Sequence, residues 1–311
     1  MVMADTRAGV CMRKYKVLIT GASGFIGKAI CTFAERNKDW DIYAWISGRR
    51  KVLLPDGIHV VTGDLRQPDR CDEIIQCVKP DVLLHLAWNL EDRNFLNNDA
   101  NIQWIEVSLH LLRAFIKQGG RKFVFSGSSA EYGYEQEICK EGIPGKPVDL
   151  YGLSKLKFEE IAEQFCKLHH VQFASLRFFS VYGPGEEHLL HVIPLAINQL
   201  LQGKHFVCKG PNNVWDYIYI DDAAQAAIQV MQSDFFGTIN IGSGVGSSMR
   251  DVFVQLAEAI GRKDLLLFEN EQATGKKLVA DMTRMQELGY ESSTKLQQGL
   301  LKTVMWWKTM M

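Results

Sequence analysis

The chain has 311 residues, 47% of them hydrophobic, and its 35 basic and 36 acidic side chains leave a formal net charge of −1. This balance argues against a general nucleic-acid or anionic-membrane binder. The seven cysteines form neither a CxxC pair nor a Cys/His cluster at zinc spacing, and no apolar run reaches the roughly 18 residues of a membrane span. We therefore expect a cytoplasmic protein without a metal site, in which residues 1 to about 13 form a loose tail.

Short apolar runs alternate with longer helical patterns over the first two-thirds of the chain. The runs are KVLIT (16–20), DIYAWI (41–46), HVVTG (59–63), DVLLHLA (81–87), KFVFSG (122–127) and FASLRFF (173–179). Continuous apolar strands separated by helices are typical of a parallel sheet that is covered on both faces. The pattern predicts an α/β protein with a Rossmann-type, doubly wound parallel sheet.

The alternation loosens after residue 180, where helical patterns and shorter strand patterns mix. We expect a nucleotide-binding domain over residues 14–180 and a smaller C-terminal α/β substrate lobe over residues 181–311. Segments near 205–240 are expected to return to the main domain. The ligand cleft then lies at the carboxyl ends of the main strands.

The sequence TGASGFIG places Gly21, Gly24 and Gly27 between the first strand and a helix. Glycine allows a sharp turn and a close approach of the backbone to a pyrophosphate, while the helix N-terminus supplies amide donors to the anion. A purely structural glycine turn is the alternative. The position directly after the first strand favours a dinucleotide site.

Two further motifs carry chemistry. Tyr151 and Lys155 in YGLSK are four residues apart and share one face of a helix. A lysine ammonium beside a tyrosine favours the phenolate, so the phenol can exchange a proton with a sugar hydroxyl or carbonyl. The serines of FVFSGSSAEYG, at the end of the fifth strand, can bond the same substrate oxygen. An exposed helical pair and an ordinary serine-rich turn are the alternatives.

The chain contains the motifs GASGFIG, GDL, HLAW, SGSSAEYG, YGLSK, LRFFSVYGPG, DYIYIDDAAQA and NIGSG. In combination, they resemble the extended short-chain dehydrogenase/reductase family, in its nucleotide-sugar epimerase, dehydratase and reductase branch. The resemblance extends from about residue 15 to about 290. It implies that Tyr151 is the catalytic acid/base, that Lys155 lowers its pKa and holds the nicotinamide ribose, and that Ser128 polarises the substrate oxygen. It also implies a homodimer formed by helices near 102–118 and 151–168.

The resemblance further implies contacts to cofactor and substrate. The expected cofactor contacts are Gly21, Ser23, Gly24, Phe25, Ile26, Gly27, Arg49, Arg50, Asp64, Leu65, Leu86, Ala87, Trp88, Ser126, Tyr151, Lys155, Phe178, Ser180 and Val181. The expected substrate contacts are Ser128, Ser129, Tyr151, Val192 and Trp215.

Arg49 and Arg50 end the second strand, where an acid would bind the ribose 2′-hydroxyl of NAD. Arginine instead pairs with the 2′-phosphate of NADP, so the sequence predicts NADPH, with NAD as the alternative. Two solvated surface arginines are the other interpretation. Because NADPH serves as an expendable reductant, we expect an NADPH-dependent reductase of a nucleotide-activated 4-keto-(deoxy)sugar. The alternative is an NAD-dependent nucleotide-sugar C4 epimerase.

Departures from the family pattern narrow the choice of reaction. A sugar dehydratase needs a carboxylate just after the catalytic hydroxyl, but Ser129 and Ala130 stand there and Glu131 follows one position late. Trp215 occupies the place of an arginine that often binds the nucleotide diphosphate. The cations that could replace it are Lys204, Lys209, Arg250 and Lys276. A non-catalytic dinucleotide-binding protein is a third hypothesis, against which the intact Ser/Tyr/Lys set argues.

Overall fold

The structure is a computed structural model that describes residues 14–49, 52–90 and 92–310. Its strands are β1 (Tyr15–Thr20), β2 (Trp40–Ile46), β3 (His59–Thr62), β4 (Val82–His85), β5 (Lys122–Ser128), β6 (Ile138–Cys139), β7 (Gln172–Phe178), β8 (Ser180–Tyr182), β9 (Phe206–Lys209), β10 (Val214–Tyr219), β11 (Gly237–Ile241), β12 (Gly246–Ser248), β13 (Leu266–Glu269) and β14 (Lys277–Ala280). Its helices are α1 (Phe25–Ala34), α2 (Pro68–Val78), α3 (Ala100–Lys117), α4 (Leu150–Leu168), α5 (Val192–Leu201), α6 (Ile220–Gln232), α7 (Met249–Ile260), α8 (Thr283–Glu287) and α9 (Leu296–Met310).

The main sheet has seven strands in the order β11-β7-β5-β4-β1-β2-β3. All of its neighbouring strands run parallel. The order reverses direction between β1 and β4, and ligands of such sheets bind at that reversal, outside the carboxyl ends of the strands. The predicted Rossmann-type α/β fold is confirmed.

The alternation of side chains along the strands explains why helices cover both faces of this sheet. Val17 and Ile19 of β1 pack in one core with residues of α1 and α6. Leu18, which lies between them, packs in a second core with residues of α2, α3 and α4. Burial of each such side chain contributes roughly 1.5–3 kcal/mol, so both faces must be covered.

The second half of the chain builds smaller sheets. One has the order β12-β10-β14-β6, with β8 also paired to β10, and a separate pair joins β13 to β9. Helices α5, α7 and α9 pack together around a third core. β11 lies at the edge of the main sheet beside β7, while the division into two domains at residue 180 remains a prediction.

Among the helices of the described ranges, none is both long enough and apolar enough to cross a membrane.

Candidate active site

The glycine turn lies directly against the chain that leaves β4. Gly21 has φ +68°, and a Cβ on it would stand 2.8 Å from the backbone nitrogen of Ala87. A Cβ on Gly27 would stand 2.3 Å from the carbonyl oxygen of Gly21. Both positions therefore require glycine, because no side chain fits between these backbones. The expected cofactor residues of the turn and of the β4 end are thus brought together.

Helix α1 begins at Phe25 behind this turn, with Gly24 as an extended N-cap. No side chain caps the helix, and its first turn carries no acidic residue. The first amide groups of the helix are therefore left for an anion, which the helix dipole also favours. This cradle fits the pyrophosphate of a dinucleotide, as the sequence predicts for Ser23, Gly24, Phe25, Ile26 and Gly27.

Charged side chains crowd the end of the sheet where β2 and β3 finish. The Asp64 carboxylate accepts hydrogen bonds of 3.0 and 2.6 Å from the Arg66 guanidinium. Arg49, whose side chain is 59% exposed, contacts the same carboxylate at 3.5 Å. The hydrogen bond from Arg66 lowers the pKa of Asp64 to about 2. Arg49 thus faces an ionised carboxylate, which weakens the inference from this arginine to NADPH, and Arg50 lies outside the described residues.

A buried histidine helps to hold the segment that follows β4. His85 is fully buried, and its Nδ1 lies 2.7 Å from the Thr20 hydroxyl while its Nε2 lies 2.8 Å from the Ser108 hydroxyl. Thr20 in turn accepts the Ala87 amide at 3.3 Å. Burial lowers the pKa of His85 to about 3, so this ring is neutral and structural.

Lys155 lies on α4 and reaches the end of β5. Its Nζ donates a 2.7 Å hydrogen bond to the Ser126 carbonyl, and only 2% of the residue is exposed. The ammonium lies 4.1 Å from the ring centre of Trp88 and 4.7 Å from that of Phe125. Burial lowers the pKa of Lys155 to about 7, although the charge of Glu131 opposes this shift.

Tyr151 stands one helical turn before Lys155, at the beginning of α4. Burial raises the pKa of Tyr151, a hydrogen bond with Ser128 opposes the rise, and the charges of Glu131 and Asp149 add to it. The expected lowering by Lys155 is not the dominant influence, because its Nζ lies 5.8 Å from the tyrosine ring centre and is itself desolvated. Ser128, Tyr151 and Lys155 are nevertheless brought together as the sequence predicts.

The remaining expected residues border this region of the fold. Ser129 opens a short 3-10 turn directly after β5, Val192 is the first residue of α5, and Trp215 lies half-buried on β10. Leu65, Leu86, Ala87, Ser126 and Val181 are half-buried, Ser180 is exposed and Phe178 is buried. Their roles in binding stay predictions.

With this geometry in place, the chain can be compared with known proteins. A family model described as the NAD dependent epimerase/dehydratase family matches residues 17–242. The chain belongs to this family. The resemblance to extended short-chain dehydrogenases/reductases is thereby confirmed.

Similar proteins also point to one reaction within the family. UDP-glucose 4-epimerase of Azospirillum brasilense is 26% identical over 329 residues, covering 94% of this chain and 92% of that protein. The structure of UDP-glucose 4-epimerase with UDP-glucose from Thermotoga maritima is 25% identical, with a TM-score of 0.83 and coverage of 95% and 99%. MoeE5 in complex with UDP-glucuronic acid and NAD is 25% identical, with a TM-score of 0.80 and coverage of 95% and 100%. The two epimerases favour the epimerase alternative over the expected 4-ketoreductase, and the NAD bound to MoeE5 favours NAD over the expected NADPH.

The sequence predicted Trp88 near the site, but it did not predict the other aromatic side chains around Tyr151, Phe95 and Trp104. Phe95 meets Tyr151 edge to face, with ring centres 5.4 Å apart. Trp88 stacks on Trp104 at 6.1 Å and donates a 2.9 Å hydrogen bond to Asn101. Phe95, Asn101 and Trp104 lie in a long polar stretch of the sequence, and only the fold selects which of its residues face Tyr151.

Sequence reasoning also missed the buried acid beside Ser128. Glu131 is fully buried, and its carboxylate accepts the Ser128 amide at 2.6 Å and the Arg177 Nε at 2.8 Å. Its place one position late for a dehydratase acid was the only sequence signal. This carboxylate faces the core behind Ser128.

Proposed function

We propose that the protein is an NAD-dependent 4-epimerase of a nucleotide sugar. The observation that carries this proposal is the convergence of Ser128, Tyr151 and Lys155 at the end of β5, in a chain whose relatives include a UDP-glucose 4-epimerase along nearly its whole length. The glycine turn and the uncapped start of α1 supply a dinucleotide cradle at the same edge of the sheet.

The residues of the site suit reversible oxidation at C4. In the first half of the reaction Tyr151 takes the proton of the sugar O4 hydroxyl, and C4 loses a hydride, which leaves a carbonyl. This step needs the phenolate, which the Lys155 ammonium must favour against the rise in pKa that burial causes. Bound NAD would supply the hydride acceptor and later return the hydride. Ser128 bonds the O4 oxygen throughout, and Tyr151 gives the proton back. Return of the hydride to the opposite face of the sugar gives the 4-epimer without net oxidation.

Dehydration is disfavoured by the position of the acid nearest to Ser128. The Glu131 carboxylate is bound to Arg177 and to the Ser128 amide within the core, so it cannot take a proton from the substrate. Ser129 and Ala130, which hold the preceding positions, carry no carboxylate. The elimination of water would require an acid that faces the sugar.

Arg49 favours a second candidate, the NADPH-dependent 4-ketoreductase. Its guanidinium is largely exposed at the end of β2 and could meet a 2′-phosphate. Against this, Asp64 lies within 3.5 Å of it and would repel that phosphate. We therefore rank the epimerase first.

We place the nucleotide end of the substrate beside Trp215, where the family's arginine is absent. Trp215 and Tyr134 lie with ring centres 6.0 Å apart, and the Lys276 ammonium stands 3.8 Å from the centre of the Tyr134 ring. Tyr134 follows the turn after β5, and Lys276 precedes β14, the neighbour of β10. Aromatic faces accept a base, and the lysine supplies charge for phosphate.

We also propose a homodimer through α3 and α4, which pack side by side. Large apolar side chains on these helices are exposed, and they are Ile102, Leu153, Ile161 and Leu168. A second copy would cover them with the same face, as in a two-fold interface. Sedimentation equilibrium should give twice the chain mass, and Ile161→Glu should shift it toward the monomer.

The reaction is tested by incubating the purified protein with NAD and, in turn, UDP-glucose, UDP-glucuronic acid and UDP-N-acetylglucosamine. We expect one of them to convert to its 4-epimer, detected by proton NMR, with no steady change in nicotinamide absorbance. Stoichiometric NADPH consumption with a 4-keto sugar nucleotide would instead establish the reductase. The absence of both activities with every one of these compounds would overturn the proposal.

A further inference from the structure

A buried cluster of three charged side chains lies directly behind the catalytic serine. The Arg177 guanidinium donates to Glu131 at 2.8 Å and to Glu159 at 2.7 Å. Arg177 is 3% exposed, Glu131 is fully buried, and Glu159 is 4% exposed. Two carboxylates therefore share one guanidinium in the interior, which leaves an excess of negative charge when both are ionised.

Glu131 joins this cluster to Ser128. One of its oxygens accepts the Ser128 amide at 2.6 Å, while the Ala130 amide donates to the Ser128 hydroxyl at 3.2 Å. The Glu131 side chain packs tightly against the backbone here, because a Cβ on Gly127 would stand 2.8 Å from the same glutamate oxygen. The backbone of Ser128 is thus held by the acid, and its hydroxyl is directed by that backbone.

The ionisation of Glu131 is opposed by its surroundings. Burial and the charge of Glu159 raise the pKa of Glu131 well above its usual value, and the Arg177 guanidinium opposes this rise. Both forms of a carboxyl group have an oxygen that accepts a backbone amide, so the bond to Ser128 does not depend on the charge of Glu131.

We propose that Glu131 is a positioning residue: it fixes Ser128 by accepting the hydrogen bond of the Ser128 backbone amide. Glu159 binds the same guanidinium but has no bond to Ser128. The two acids share deep burial and the Arg177 guanidinium, and they differ in their other partner, which is the Ser128 amide for Glu131 and the Thr238 hydroxyl for Glu159. This difference makes Glu159→Gln a matched control for Glu131→Gln.

The first test follows the Ser128 amide and needs no sugar substrate. Protein with nitrogen-15 serine is studied by NMR, and the Ser128 amide signal is assigned by its loss in Ser128→Ala. Glu131 binds the Ser128 amide with one oxygen and Arg177 with the other, whereas glutamine has a single acceptor oxygen. We therefore expect Glu131→Gln to move this amide signal, and Glu159→Gln to move it by less than half as much. An unmoved Ser128 signal in Glu131→Gln would overturn the proposal, because the position of Ser128 would then not depend on this acid.

The second test uses turnover of the sugar nucleotide. We expect Glu131→Gln to lower kcat about tenfold with KM within about twofold, because substrate still binds while Ser128 is misplaced. Thermal denaturation of both variants separates this from a loss of folding. Equal losses of kcat and of Tm in Glu131→Gln and Glu159→Gln would show that the cluster is only structural. A failure of the reaction itself leaves the NMR test intact, so the two proposals fail separately.

Discussion

Arg177 and Arg49 lie at the same carboxyl edge of one sheet, yet the protein holds them in opposite ways. Arg177 is 3% exposed and bonds two buried carboxylates at 2.7 and 2.8 Å. Arg49 has a side chain that is 59% exposed and contacts Asp64 at 3.5 Å, where Arg66 already binds more closely. A buried charge must have one fixed geometry because leaving it unpaired is costly, whereas an exposed charge is free to change partners.

This contrast distinguishes the part of the site whose side chains have one fixed geometry from the part whose side chains can change partners. The side chains at the end of β5, where we propose the reaction centre, are buried and mutually bonded. The side chains at the ends of β2 and β3, where we expect the ribose of the coenzyme, form exposed ion pairs. Arg49 is therefore a weaker guide to the coenzyme than the Tyr151/Lys155 pair is to the proposed chemistry.

The largest effect is expected at the reaction centre. Tyr151→Phe removes the proton carrier, so we expect kcat to fall by about a thousandfold. Binding of NAD, measured by calorimetry, should stay within about threefold of the unchanged protein. Retention of more than about a tenth of the activity would show that another group moves the proton.

The next effect tests the contrast between the two arginines directly. Arg177→Met leaves two buried carboxylates without their partner, and we expect it to lower the free energy of unfolding by about 3–5 kcal/mol. Arg49→Met, the matched exposed change, should lower it by less than about 1 kcal/mol. Urea unfolding measures both. Equal losses of unfolding free energy in the two variants would mean that burial does not make Arg177 more stabilising than Arg49.

A pH dependence is expected from Lys155. Its pKa is lowered by burial to about 7, while in the unfolded chain it stays near about 10.4. Between these values the unfolded chain binds the extra proton, so the destabilisation of the fold by this buried group is relieved as pH rises from about 7 toward 10. Lys155→Met abolishes that contribution. The difference in unfolding free energy between the two proteins should change by up to about 1.4 kcal/mol per pH unit over this range, and a constant difference would contradict the assigned shift.

The smallest change, in the preference for NAD over NADP, is expected from Arg49→Ala. If NAD is the coenzyme, the ratio of kcat/KM for NAD to that for NADP should change by less than about fivefold, since Asp64 and Arg66 remain. A loss of more than about tenfold in activity with NADP alone would show that Arg49 binds a 2′-phosphate. Such a loss would also support the NADPH-dependent 4-ketoreductase.

The sequence allowed a prediction of the parts of the site that depend on local patterns. Gly21 and Gly27 follow a strand and open a helix, and Tyr151 and Lys155 share a helix face, so spacing alone indicates their roles. The bond between Glu131 and Arg177 joins residues 46 positions apart, and Phe95 reaches Tyr151 across a loop. Such contacts depend on how β5, β7 and α4 pack, which no local pattern encodes. The sequence did not show that a carboxylate faces Arg49, because Asp64 follows the next strand, β3.

In the proposed reaction, hydride leaves C4 of a nucleotide sugar and returns to the same carbon. The most direct measurement follows UDP-sugars that carry deuterium at C4, incubated with the enzyme and NAD and analysed by NMR and mass spectrometry. We expect the 4-epimer to form with the deuterium still at C4 and with no accumulation of reduced cofactor. Deuterium that passes to free cofactor, or conversion that occurs only with stoichiometric NADPH and a 4-keto sugar, would contradict the account.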